Sequence, residues 1–93
     1  MAHRVVWSAR ALADVDAIAS YIAADSSSYA STVVRKILSL TRILAGFPRA
    51  GRKVPEFDDE SFREVFAYSY RIIYCVEPDV VVVVAVIHGK RML

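Results

Sequence analysis

Leu12, Val15, Ile18, Ala19 and Ile22 recur at steps of three and four residues, which places them on one stripe of a helix. Ser8, just ahead of them, is placed to cap that helix by accepting a hydrogen bond from an unpaired backbone amide. Asp14 and Asp16 fall in its first half, where the helix dipole favours negative charge, so they need no catalytic explanation. Tyr29, Val33, Ile37, Leu40 and Leu44 repeat the same spacing. Asp25-Ser26-Ser27-Ser28 supplies turn and capping chemistry before this second run, and Gly46 and Pro48 stop it. The pattern predicts two antiparallel helices joined by a tight turn, with Arg35, Lys36 and Arg42 on the solvated side of the second. Ahead of both, His3 to Trp7 contains Val5-Val6-Trp7 and predicts a short first strand.

The pattern changes after residue 60. Phe62 to Ala67, Tyr70 to Val76 and Val80 to Ile87 are apolar runs of strand length. The last two are joined by Glu77-Pro78-Asp79, a turn that makes an antiparallel hairpin of them. The valine run Val80 to Val84 lacks alternation, as expected of a central strand buried on both faces. Between the helices and these strands, Phe47 to Glu60 is punctuated by Pro48, Gly51 and Pro55, which predicts one long irregular loop. The order strand, helix, helix, three strands implies an α+β fold: a curved, mostly antiparallel sheet with the helical hairpin on one face and the other face open.

Ninety-three residues make a single domain, residues 1–93, with a core only just large enough for independent folding. Hydrophobic residues are 56% of the chain, more than such a core needs, so part of the apolar surface is expected to be covered by another chain. A net charge of +2 is too small to define a nucleic-acid binder by itself. Cys75 is the single cysteine and lies within an apolar strand. An internal disulfide is therefore impossible, a core role is expected, and a reduced cytoplasmic setting fits. No run is long enough to span a bilayer, and no leader segment is recognised.

The distribution of cations is more informative than their sum. Arg49, Arg52 and Lys53 surround Gly51, and the acidic run Glu56, Asp58, Asp59 and Glu60 follows. Arg71 stands in the middle of Tyr70-Arg71-Ile72-Ile73-Tyr74, where a guanidinium needs either solvent or an anion. Arg63, Arg71 and His88 are expected to converge on the open sheet face. The plainer alternatives are that Arg71 pairs with Glu64 across neighbouring strands and that His88 simply ends a strand. No metal site and no cofactor are suggested. Trp7, Tyr21, Tyr29, Tyr70 and Tyr74 read as core or interface residues, and only Tyr68, at a turn, looks free.

Trp7, the two amphipathic helices, Phe47-Pro48-Arg49-Ala50-Gly51-Arg52, Val54-Pro55-Glu56, Arg63-Glu64-Val65, Tyr70-Arg71-Ile72-Ile73-Tyr74 and Val86-Ile87-His88-Gly89-Lys90-Arg91 together resemble the RelE/ParE superfamily of bacterial toxins from type II toxin–antitoxin pairs. The resemblance covers nearly the whole chain. It implies the same strand–helix–helix–three-strand fold and a cognate ParD-like or RelB-like antitoxin that wraps an apolar, acidic segment over the toxin in a hetero-oligomer. Two activities are implied. RelE-like members cleave mRNA on the ribosome, for which Arg63 and Arg71 would hold phosphate and His88 would exchange a proton. ParE-like members poison DNA gyrase without hydrolysing anything. RelE-like nucleases carry a Tyr or a His-Tyr pair just after the last strand, where this chain has His88-Gly89-Lys90-Arg91, so the ParE-like branch is favoured. The expected target contacts are then Arg49, Arg52, Lys53, Arg71, His88, Lys90 and Arg91. A non-toxic module that binds a peptide on its open sheet face is the alternative from another class.

Overall fold

The computed structural model describes residues 2–93. Strand β1 spans Arg4–Trp7, helix α1 Ala9–Ala23 and helix α2 Ser27–Ile43. Strands β2 (Arg52–Lys53), β3 (Phe62–Ala67), β4 (Tyr70–Val76) and β5 (Val80–His88) follow. The five strands form one sheet in the order β1-β5-β4-β3-β2. β1 runs parallel to β5, and every other pairing is antiparallel.

Both helix starts are capped by the expected serines. Ser8 Oγ accepts from the Ala11 amide at 3.0 Å and Ser26 Oγ from the Tyr29 amide at 3.1 Å. Ser8 has a second role, because its hydroxyl donates to the Val84 carbonyl at 3.1 Å. Asp14 accepts from the Val86 amide at 2.9 Å. β1 stops at Trp7, opposite Val83, so two α1-side side chains satisfy the backbone of β5 where the neighbouring strand has ended. Asp14 is thus a structural acceptor.

The helices cover one face of the sheet. Ala11, Ile22, Ala30, Val33 and Ile37 meet Ala67, Ile72, Val83 and Val86 in the main core. A second cluster joins Leu44 to Tyr74 and Val81 on the same side. A register shift between Ile73 and Tyr74 leaves Val84 unpaired on β5. This bulge turns Val84 and Ala85 to the opposite face, where they join Val54, Ile73 and Ile87. β5 is therefore interior and buried on both faces, as the valine run implies.

Two expectations are corrected. Residues 47–60 contain a short strand, with Arg52 opposite Glu64 and Lys53 opposite Arg63. The prolines at 48 and 55 flank this edge strand without interrupting it, which is where proline is compatible with a sheet. Nor is the sheet face away from the helices open. Val54, Phe57 and Phe62 close over Ile73, Ala85 and Ile87, with the two phenylalanine rings 5.0 Å apart edge to face. The sequence turns back to seal a second, smaller core.

Candidate functional site

Successive strand residues point to opposite faces, and this separates the three residues expected to converge. Arg63 shares the helix-side alternation of Val65, which packs on the main core. His88 lies opposite Tyr70, itself part of that core. Arg71 points the other way. Arg63 pairs with Tyr74 and His88 with Tyr70, four positions apart on β4, so even the two on one side stand roughly 13 Å apart along the strand.

Arg71 is the best-connected polar side chain on its face. It is 4% exposed. Its Nε donates to Glu64 Oε1 at 2.7 Å, and its terminal nitrogens grip both Glu56 oxygens at 2.7 and 2.8 Å. A further bond at 3.0 Å reaches the Arg91 carbonyl. The plainer sequence reading, a cross-strand pair with Glu64, is therefore correct but incomplete, since Glu56 and the C-terminal stretch also take part. Hydrogen bonding from Arg71 holds the Glu56 carboxyl at about 2, well below its usual value. A carboxylate held so acidic is a weak proton acceptor at neutral pH. The Arg71 pKa is raised by the same contact.

Arg63 is also engaged, donating to the Gly51 carbonyl at 3.1 Å and to the Glu60 carbonyl at 3.2 Å. Gly51 sits where no side chain fits. A Cβ there would collide with the Glu64 carbonyl and stand 2.7 Å from the Tyr74 hydroxyl, which accepts the Gly51 N–H at 2.9 Å. Through Gly51, Tyr74 and Arg63 the basic knot is anchored to the sheet.

The remaining cations face solvent. Arg52 places its guanidinium 5.3 Å from the centroid of the half-exposed Phe66 ring and bonds Glu64 at 2.6 Å. Lys53 reaches the exposed Asp58 at 3.1 Å. Among the described residues, the side chains of Arg49, Lys90 and Arg91 have no hydrogen bond or ion pair with the protein, and all three are exposed. His88 is exposed too, with its ring edge-on to Tyr70 at 5.8 Å and Nδ1 accepting the Lys90 amide at 3.2 Å. Burial pushes the half-buried Cys75 thiol up, as expected of an unreactive thiol.

Residues 5–93 match the family described as the ParE toxin of type II toxin-antitoxin system, parDE. The chain belongs to the ParE toxin family. It is a toxin of the RelE/ParE superfamily. Among solved structures it is similar to the chromosomal ParDE toxin–antitoxin system from P. aeruginosa, with a TM-score of 0.77 at 18% identity, over 95% of this chain and 97% of that one. It is also similar to the archaeal RelE–RelB complex from Pyrococcus horikoshii OT3, with a TM-score of 0.68 at 17% identity, over 99% of this chain and 100% of the other. At these identities both likenesses establish the shared fold. A search of the curated proteins returns no match.

On this ParE chain an unpartnered apolar groove lies between the helices. Trp7, Leu12, Val15, Ala19, Val34 and Leu38, with Asp16 as the one charged residue, line a groove of about 510 Å³, and Leu12 and Leu38 are 58% and 42% exposed. Sequence reasoning missed this groove, because Leu12 belongs to the α1 stripe by spacing yet stays outside the core. Tyr21 and Tyr29, expected in the core or at an interface, lie outside the core, at 78% and 49% exposure. The Tyr29 ring lies 6.3 Å from that of Tyr68, which occupies the turn at φ 55°. Among the described residues no helix is long and apolar enough to cross a membrane.

Proposed function

We propose that this ParE-family toxin is a poison of DNA gyrase, neutralised by a cognate ParD-like antitoxin in a hetero-oligomer, and that it carries out no hydrolysis of its own. The observation that carries this reading is the disposition of the cations. A metal-free RNA-cleaving site needs a cation free to hold a phosphate beside groups that exchange protons. Here Arg71 is closed by Glu56 and Glu64, Arg63 is tied to two carbonyls, and His88 lies on the face opposite Arg71 and far from Arg63 along β4. Of the expected target contacts, Arg49, Lys90 and Arg91 keep unpaired side chains, which suit docking rather than catalysis. Together with Arg52, Lys53 and His88 they form the proposed target surface. Arg71 joins them only from beneath.

The groove at Trp7, Leu12 and Leu38 is the proposed seat of an apolar face of the antitoxin, and the exposed Arg42 and Arg35, which line the hollows adjoining it at Trp7–Leu38 and at Ala19–Val34, are placed to pair with acidic residues flanking that face. Target and antitoxin surfaces are then separate. Lys90→Ala combined with Arg91→Ala is expected to abolish growth arrest on induced expression while the variant still co-purifies with its antitoxin. Full toxicity of that double variant contradicts the assignment of the target surface. Unaffected growth on expression of the folded wild-type chain contradicts toxicity altogether and favours the peptide-binding module.

A further inference from the structure

Segments far apart in the chain meet at the Arg71 guanidinium. Glu56 follows β2, Glu64 lies on β3, and the Arg91 carbonyl belongs to the stretch after β5, and each accepts a hydrogen bond from Arg71. Arg52 of β2 holds the second oxygen of Glu64 at 2.6 Å. Two guanidinium groups thus face two carboxylates, so the cluster is neutral and needs no outside anion. Only the flat, five-donor fork of arginine can hold a bidentate carboxylate, a second carboxylate and a carbonyl at once.

The C-terminal stretch runs directly over this cluster. A Cβ at Gly89 would stand 3.9 Å from Arg71 Cγ and 3.8 Å from the Phe66 ring, the same ring whose face Arg52 covers. The Gly89 amide is pinned to the Ser69 carbonyl at 2.6 Å. Further along, the Leu93 amide lies 3.4 Å from Glu56 Oε2, one of the two oxygens that Arg71 holds. The exposed Lys90 and Arg91 side chains therefore project from a backbone fastened at Ser69, Arg71 and Glu56, with Arg91 beside Asp14 and Tyr21 of α1.

We infer that Glu56 and Arg71 are positioning residues that tether the C-terminal stretch and, through the Glu64 that Arg71 shares with Arg52, hold the backbone carrying Lys90 and Arg91 at a fixed place relative to the Arg49–Lys53 segment. The tether is a property of the toxin chain alone, and its consequence for the target rests on the gyrase reading. A free tail must have its backbone ordered each time it binds. A tethered one is already in place.

The test compares wild-type toxin with Glu56→Gln, which keeps the shape and one accepting oxygen but loses the charge and the paired grip. Backbone ¹⁵N relaxation of residues 88–93 is measured on each, beside titration into a gyrase supercoiling reaction. In the wild type, Arg91 is expected to show an order parameter near about 0.85, falling below about 0.6 in Glu56→Gln while Ile73 and Val86 stay rigid. The toxin concentration for half-inhibition is expected to rise about tenfold. Glu56→Asp, one methylene shorter, should fall between the two on both readouts. An Arg91 already mobile in the wild type overturns the inference without recourse to any variant. A tail equally ordered in Glu56→Gln, or a loosened tail with unchanged inhibition, overturns it as well. Wild-type toxin that leaves gyrase untouched would refute the gyrase reading, and the relaxation data would still decide the tether.

Discussion

The two faces of the sheet are held by different forces. On the helix side Ile72, Val83 and Val86 meet Ala11, Val33 and Ile37, an apolar contact that any well-fitted aliphatic set provides. On the other side a small apolar cluster around Val54 and Ile73 adjoins the buried Arg71, Glu64 and Glu56 network, in which each group is tolerable only because the others are present. The first face is robust to conservative change, whereas the second depends on every member. The C-terminal basic stretch is anchored on this second face and the basic knot reaches it through Arg52 and Glu64, so its fragility is part of how the toxin presents itself.

Removing one charge from the network should have the largest effect. Arg71→Met is expected to lose about 3–5 kcal/mol in urea unfolding, because it strands Glu56 and leaves the fully buried Glu64 with Arg52 as its one charged partner. Ile72→Val on the helix face should cost about 0.5–1.5 kcal/mol by the same measurement. Equal losses would abolish the distinction between the faces. Next come the glycines before and within the basic knot, Gly46 and Gly51. Gly51→Ala should cost about 1–3 kcal/mol, because its Cβ meets the Glu64 carbonyl and the Tyr74 hydroxyl. A Cβ at Gly46 meets nothing within 4 Å, so Gly46→Ala is expected to be neutral or to stabilise by up to about 1 kcal/mol.

The dependence on pH sharpens the contrast further. Arg71 lowers the Glu56 pKa from 4.5 to about 2 in the folded chain, so Glu56 contributes stability that is complete above about pH 4.5 and lost as pH falls toward 2. Thermal unfolding followed from pH 6 to pH 2.5 should therefore show a shallower decline in Glu56→Gln than in wild type. Identical slopes would mean that the carboxylate is not held by Arg71. Smallest of all, Lys53→Ala removes only the surface pair with Asp58 and should shift stability by no more than about 0.5 kcal/mol in urea.

The same contrast explains what was legible in the sequence. The helix face is written in periodicity: the spacing from Val33 to Leu44 and the capping position of Ser26 specify α2 without reference to any distant residue. The unbroken valines likewise announce a strand buried on both sides. The opposite face is written in pairings between residues far apart, and no local pattern records them. Glu56 looked like the first member of a solvated acidic run, yet it grips Arg71 fifteen positions later. Asp14 looked like a helix-dipole charge and turned out to satisfy Val86 across 72 positions. Arg52–Lys53 was hidden because a two-residue edge strand has no periodicity to detect. Arg71 was rightly singled out as needing an anion, since a guanidinium in an apolar strand poses that question wherever its partner lies.

Titration of the purified toxin into a gyrase supercoiling reaction with ATP, scored for both lost supercoiling and accumulated cleaved DNA, tests the central claim most directly. Inhibition accompanied by cleaved DNA is the predicted result, with Arg71 and His88 acting as support and contact rather than as catalysts. Undiminished supercoiling at high excess of folded toxin, together with mRNA cleavage on added ribosomes, would contradict the account.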